Sequence, residues 1–135
     1  MSDTNRLFQL SVLPGSLAMV RLAASAGLPP WATQGGFFSV TRTDDELSIV
    51  CPADRVPSGV RAETGFRALK VHGPFALSEI GVLAALAVPL AAKKVSLFVI
   101  STFDTDYLLV NEKQLPAAVT ALRGDGHQVV EHGAA

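Results

Sequence analysis

The sequence has one cysteine, Cys51, and only 17% charged residues. One cysteine excludes an intrachain disulfide, and the three histidines lack the spacing of a zinc site. The 11 basic and 12 acidic residues nearly cancel, so there is no excess of positive charge to attract nucleic acid or an anionic membrane. We therefore expect no metal or other cofactor, no nucleic-acid partner and no membrane partner.

Long apolar runs are also scarce. The longest, around residues 80–92, contains Pro89 and is too short to span a bilayer. The first ten residues lack a basic segment followed by a continuous apolar run, so we expect no signal peptide. With 49% hydrophobic residues, the 135-residue chain can bury one core or two small domains that share one. These features predict a cytoplasmic globular protein.

The first half of the chain is predicted to be mostly β. Alternating or β-branched apolar segments predict strands at residues 8–12, 17–22, 36–42 and 46–51. The last two form a hairpin in which Leu47, Ile49 and Cys51 share one face.

A linker is predicted to follow this half. Residues 52–65 contain two prolines and two glycines, which favour an irregular connection. The expected domains are therefore residues 1–60 and residues 61–135.

The second half alternates strands and helices. Strands are predicted at residues 66–71, 95–100, 107–110 and 128–131. A first helix is predicted from Leu77, with Ser78 as its cap. Its apolar stripe is expected to consist of Leu77, Ile80, Leu83, Ala84, Ala87, Leu90 and Ala91. The second helix begins either with a capping box formed by Asn111 and Gln114 or with Pro116 as its first residue.

The resulting order, β-α-β-β-α-β, predicts an α+β, ferredoxin-like fold. Its spatial strand order is 4-1-3-2, which places the second strand, residues 95–100, at the edge of the sheet. An exposed apolar edge strand promotes association, so we expect it to be covered by the N-terminal half or by a second copy of the chain. A homodimer through this strand is the expected assembly.

Several segments resemble a known family. They are residues 65–71 (GFRALKV) with Gly73-Pro74, residues 78–82 (SEIGV), residues 101–110 (STFDTDYLLV) and residues 38–51 (FSVTRTDDELSIVC). Together they resemble the ACT domains of the CASTOR arginine-sensor group. The resemblance implies a tandem of two ACT-like domains, the first of them shortened or rearranged, and a regulatory role.

The resemblance also implies a site. By motif, its ligand-binding residues are Ile80, Gly81, Val82, Ser96, Leu97, Thr102, Phe103 and Asp106. The opening of the first helix offers free N–H groups that suit a carboxylate. Asp106 suits a cationic group such as an ammonium or a guanidinium.

Two functions remain open. The first is a non-catalytic regulatory protein that binds an amino acid or a similar small effector at an interface between ACT domains. The alternative is a protein–protein interaction module that has an ACT-like sheet and no ligand. An enzyme is not expected, because no spacing makes Glu79, Asp104 and Asp106 an acid/base pair.

Overall fold

The structure, a computed structural model, describes residues 6–75 and 80–131. In chain order its elements are β1 (Gln9–Val12), β2 (Leu17–Leu22), β3 (Ser39–Arg42), β4 (Leu47–Pro52), β5 (Ala62–Val71), α1 (Val82–Ala92), β6 (Leu97–Ser101), β7 (Asp106–Asn111), α2 (Leu115–Gly124) and β8 (Gln128–Glu131). The fold is α+β, as predicted from the sequence. Within the described residues, neither helix has the length that a bilayer crossing requires.

The chain forms two compact units. One, here called the β unit, is Gly15–Phe66. The other, here called the mixed unit, combines the described residues up to Pro14 with those from Arg67 onwards. The division of the chain between residues 60 and 61 remains a prediction. By contact, β1 belongs to the mixed unit.

The β unit is a small antiparallel sheet. Its strand order is β3-β4-β2, followed by residues 62–66 of β5. The predicted β3-β4 hairpin is confirmed, and Leu47, Ile49 and Cys51 are all buried in one cluster. The predicted linker at residues 52–65 is wrong at both ends. β4 includes Pro52, and β5 begins at Ala62 because this segment gains a pairing partner in β2.

The mixed unit has the strand order β8-β1-β5-β7-β6. The two helices bury Leu86, Leu90, Val119 and Leu122 in the same cluster as inward residues of these strands. β6 pairs only with β7 among the described strands, so the predicted edge position of this segment is confirmed.

The expected order 4-1-3-2 is wrong in one respect, because β1 lies between the fourth and first strands of the ferredoxin-like motif. β1 pairs antiparallel with β5 and parallel with β8, with Leu10 opposite both Val71 and Val129. Burial of Phe8, Leu10 and Val12 stabilises the insertion, because the period of two places all three side chains in the core of the mixed unit.

Helix α1 differs from its prediction in its start and in its buried face. It begins at Val82 with Gly81 as the N-cap; the predicted cap Ser78 and Leu77 lie outside the described residues. The buried face consists of Val82, Ala85, Leu86, Pro89 and Leu90. Leu83 is 41% exposed and Ile80 is 72% exposed, and of the predicted stripe's described members only Leu90 is buried, so the rest of the predicted face is wrong. All residues of α1 are apolar, so the spacing of apolar residues cannot distinguish the buried face of this helix from its exposed face.

Helix α2 begins at Leu115 without the predicted capping box. Asn111 accepts a hydrogen bond from the Lys113 N–H, and the Gln114 side chain donates to the Lys94 carbonyl. Gln114 is the N-cap and makes no side-chain capping bond. The alternative is closer, since Pro116 lies in the first turn, where its missing N–H costs nothing.

Cys51 lies in the core of the β unit and is fully buried. Burial, and secondarily the negative charge of Asp54, raises the pKa of its thiol. The neutral thiol is therefore favoured in the folded state. Its contribution to stability is complete below the ordinary thiol pKa and is lost as the pH rises through the higher value of the folded state.

We predict that iodoacetamide labels Cys51 slowly in the folded protein. Labelling requires opening of the β unit, so near neutral pH the rate should be about 10³-fold or more below that in denaturing urea. Mass spectrometry measures both rates on the same sample. Native labelling at a rate close to that in urea would contradict the buried position.

Candidate functional site

A cavity of about 320 Å³ opens in the mixed unit at the start of α1. Its walls are residues 81–84 on one side, residues 101–106 on the other, and Phe75. The Phe75 ring packs edge-on against Phe8, with 5.7 Å between the ring centroids. The cavity therefore lies between a helix start and the tip of the β6-β7 hairpin.

The helix side of the cavity is electropositive. Gly81 has φ = +83°, a left-handed conformation that glycine adopts without the steric cost of a side chain, and its carbonyl accepts the first intrahelical bond, from the Ala85 N–H at 3.0 Å. The N–H groups of Val82, Leu83 and Ala84 precede that bond and have no acceptor within the helix. The N-cap residue, Gly81, has no side chain with which to cap them, so this end of α1 can receive an anionic group.

The hairpin side of the cavity is a tightly bonded turn. The Thr102 N–H donates to the Thr105 carbonyl at 2.8 Å, and the Thr102 hydroxyl donates to the same oxygen at 3.0 Å. The Thr105 N–H returns a bond to the Thr102 hydroxyl at 3.2 Å. These three bonds hold the turn in one conformation, and Phe103 at its apex is 78% exposed.

The turn is also tied to the end of β5. The buried Thr105 hydroxyl donates to the Val71 carbonyl at 2.6 Å, and the Phe75 N–H donates to the Asp104 carbonyl at 2.8 Å. A Cβ at Gly73 would lie 3.0 Å from the same Asp104 oxygen, so glycine permits this close approach. Two backbone segments that are distant in sequence thus meet beside the cavity.

Two acidic residues, Asp104 and Asp106, line the cavity, and Asp106 is the less exposed of the two. It is half-buried, and its Oδ1 accepts a hydrogen bond from the Ser101 hydroxyl at 2.6 Å. Ser101 and Asp106 are direct partners across the β6-β7 ladder, which explains their contact. A carboxylate has about four lone-pair sites, so the single bond from Ser101 leaves acceptor capacity for a ligand. No group of acidic, histidine or cysteine side chains among the described residues is arranged to hold a metal ion.

The structure brings together five of the eight residues that the family resemblance implied. Gly81, Val82, Thr102, Phe103 and Asp106 all line the cavity. The side chain of Val82 is buried in the core, so its contribution is made by the main chain. The role of these residues in binding remains a prediction.

The other three residues lie outside the cavity wall. Ile80 is exposed beside it, and Ser96 is exposed just before β6. Leu97 is the first residue of β6 and packs against the core of the mixed unit. Ser96 and Leu97 lie at the start of the edge strand β6, whereas Ser101 at its end lines the cavity.

Sequence reasoning missed several residues that line the cavity: Phe75, Leu83, Ala84, Ser101, Asp104 and Thr105. Ser101 had a usable signal, because a four-residue hairpin tip places residue 101 opposite residue 106. Thr105 had none, since its partner Val71 is 34 residues away in the chain.

The class of protein that this fold and cavity define is confirmed by comparison with known families. A family model described as an ACT domain matches residues 61–124. A second model, described as an N-terminal domain, matches residues 15–59. The chain belongs to the ACT-domain family and is a small member related to the CASTOR group.

Two individual proteins are similar to this chain in sequence. The cytosolic arginine sensor for mTORC1 subunit 1 of Rattus norvegicus is 32% identical over 84% of this chain. The match spans only 36% of that sensor's length. The putative protein CASTOR3P of Homo sapiens is 30% identical over 84% of this chain and 80% of its own length.

Solved structures agree on the fold. A crystal structure of a protein from Agrobacterium tumefaciens has a TM-score of 0.89 and 43% identity, covering 94% of this chain and 95% of that one. The regulatory subunit of aspartate kinase from Thermus thermophilus has a TM-score of 0.62 at 8% identity, covering 87% and 97%. The second likeness shows the fold alone.

We predict that Thr105→Val lowers the free energy of unfolding by about 1–3 kcal/mol, because it leaves the buried Val71 carbonyl without its donor. Thr105→Ser keeps the hydroxyl and serves as the matched control, with a smaller loss expected. Urea unfolding followed by circular dichroism measures both. Equal losses in the two variants would show that the hydroxyl bond does not stabilise the turn.

Proposed function

We propose that this protein is a regulatory, non-catalytic member of the ACT family that binds an amino acid in the cavity beside α1. The observation that carries the proposal is the pairing of opposite charges across one small cavity. The free N–H groups at the start of α1 line one wall, and the Asp106 carboxylate lines the other.

An amino acid at neutral pH carries the complementary pair of charges. Its carboxylate can accept hydrogen bonds from the helix start, where the aligned peptide dipoles favour an anion. Its ammonium group can donate to Asp106, whose position is held by Ser101. A cationic side chain is a second candidate for Asp106, so the proposal specifies an amino acid and leaves its side chain open.

The size of the cavity supports a small ligand. Its volume of about 320 Å³ lies at the lower end of the range of roughly 300–1,000 Å³ for ligand pockets. A relative points the same way, because it is named as an arginine sensor. Since that relative is also named as cytosolic, we place this chain in the cytoplasm.

The mouth of the cavity suits an interface between ACT domains. Ile80, Leu83 and Phe103 are exposed apolar side chains at or beside the cavity. Covering them would remove apolar surface from water and would strengthen the electrostatic interactions inside. We propose that a second copy of the chain associates through the edge strand β6 and that the ligand lies at the resulting interface.

We predict that at least one of the twenty L-amino acids raises the melting temperature of the wild type and that Asp106→Asn weakens its binding by about 10- to 100-fold. The variant removes a charge-assisted hydrogen bond worth roughly 1.5–3 kcal/mol. Calorimetric titration measures the dissociation constants.

Asp125→Asn is the matched control for this experiment. Asp125 is exposed at the end of α2, outside the cavity wall, and its substitution should leave affinity unchanged. Melting curves that stay flat for all twenty amino acids at millimolar concentration would reject the ligand-binding proposal and favour the protein–protein interaction module.

We predict that Phe98→Lys disrupts the dimer. Leu97 and Val99 pack against the core, so the alternation along β6 places Phe98, which is 48% exposed, on the opposite face of the sheet. A lysine on an edge strand opposes strand pairing between chains. Light scattering should show a fall from the dimer mass to the monomer mass of 14.2 kDa.

Val130→Lys provides the control for Phe98→Lys. Val130 is 39% exposed on β8, at the other edge of the mixed unit's sheet, and its substitution should leave the dimer intact. Loss of the dimer in this variant alone would move the interface to β8. A monomeric wild type would contradict the dimer.

A further inference from the structure

Helix α1 contains a proline, and this proline removes one hydrogen bond of the helix. Pro89 lies inside the helix, and proline has no N–H to donate to the carbonyl four residues earlier. That carbonyl belongs to Ala85, a residue that is 1% exposed. A buried carbonyl that lacks its helical donor needs a substitute, because water does not reach it.

His127 supplies the substitute from outside the helix. The imidazole is 3% exposed, and its Nε2 lies 3.1 Å from the Ala85 carbonyl oxygen. On the other side of the ring, Nδ1 lies 3.1 Å from the Phe8 backbone nitrogen. A carbonyl only accepts and a backbone N–H only donates, so this geometry requires the tautomer with its proton on Nε2.

The ring of His127 is held in this orientation from several directions. The Phe8 ring stacks on it at 5.9 Å between centroids with 26° between planes. The His127 N–H donates to the Leu122 carbonyl, at the end of α2, and the Gln128 N–H donates to the Phe8 carbonyl. The residue that completes α1 is thus positioned by α2 and by the segment that leads into β1.

Ala85 is connected through the backbone to the N–H donors at the cavity. Ala85 comes directly after Ala84, which lines the cavity, and its N–H makes the first intrahelical bond to Gly81. The N–H donors of Val82, Leu83 and Ala84 at the cavity therefore belong to the same helical turn as the Ala85 carbonyl, to which His127 donates. Movement of Ala85 would move the donors.

We propose that His127 is a positioning residue for ligand binding, because it replaces the donor that Pro89 lacks and so holds the first turn of α1 at the cavity. The proposal rests on the proposed amino-acid site. It gives a role to a histidine that lies outside the cavity wall and that shows no metal-binding arrangement.

The test is a cycle of variants built on Pro89. His127→Leu removes the donor to Ala85 and should weaken binding by about tenfold for the amino acid that gives the largest thermal shift among the twenty. Pro89→Ala provides an N–H within the helix for the same carbonyl. In the His127→Leu, Pro89→Ala double variant, affinity should return to within about threefold of Pro89→Ala alone.

Stability should not recover to the same extent in the double variant. The Phe8 N–H loses its acceptor whenever His127 becomes leucine, and Pro89→Ala does not replace that acceptor. A residue with a merely structural role would lose affinity and stability together. Rescue of affinity without full rescue of the melting temperature separates positioning from general stabilisation.

Two additions keep the test decisive. His127→Gln retains a donor and an acceptor and should bind more tightly than His127→Leu, which protects the experiment if the leucine variant folds poorly. Hydrogen exchange of the Ala85 and Leu86 amides should accelerate in His127→Leu and slow again in the double variant, with no ligand present.

The outcomes separate the two proposals. A wild type that binds none of the twenty amino acids rejects the proposed function, and unchanged amide exchange in His127→Leu independently rejects the positioning role. Wild-type binding with equal affinity in His127→Leu overturns the positioning role alone. An affinity loss that Pro89→Ala leaves unrescued also overturns it.

Discussion

Beside the bond from the Phe75 N–H to the Asp104 carbonyl, the candidate site depends on one buried side-chain hydrogen bond, from the Thr105 hydroxyl to the Val71 carbonyl. This bond ties the tip of the β6-β7 hairpin to the end of β5, the strand after which the chain turns towards α1. Because Thr105 also closes the turn with Thr102, the same residue sets both the conformation of the tip and its place beside the helix. Asp106 directly follows Thr105, so the bonds of Thr105 also hold the Asp106 carboxylate at the cavity.

Placed in this way, the two walls of the cavity have opposite electrostatic character. The helix wall presents backbone donors that the N-cap glycine cannot cap, and the hairpin wall presents a carboxylate oriented by Ser101. Backbone donors and a held carboxylate are arranged before a ligand arrives, so binding does not require their reorganisation. A site built mainly from main-chain groups suits recognition of the α-carboxylate and α-ammonium groups that all amino acids share. Under the proposed function, selection among side chains would then fall to the covering partner and to the apolar residues at the mouth.

Much of the fold could be predicted from short-range patterns in the sequence. The hairpin of β3 and β4 has clear alternation and an acidic turn, and the edge position of β6 follows from the β-α-β-β-α-β order. Prediction failed where the sequence offers no local contrast. Every residue of α1 is apolar, so periodicity predicts a buried position for Leu83, which is exposed; Ile80, predicted on the same face, is exposed before the helix begins. The capping box of α2 failed because Gln114 bonds instead to Lys94, 20 residues earlier in the chain.

The sequence by itself determined the family, the α+β class and the residue types at the hairpin tip, because these reside in contiguous motifs. Only the tertiary structure decided that β1 lies between β8 and β5, that the Thr105 hydroxyl bonds the Val71 carbonyl, and that His127 completes the hydrogen bonding of α1. Each of these features joins segments that are brought together by burial of a shared core. The Ala85 carbonyl shows the reason most directly. The presence of Pro89 in the sequence shows that the Ala85 carbonyl lacks its helical N–H donor. Only folding brings His127, 42 residues away in the chain from Ala85, to donate instead.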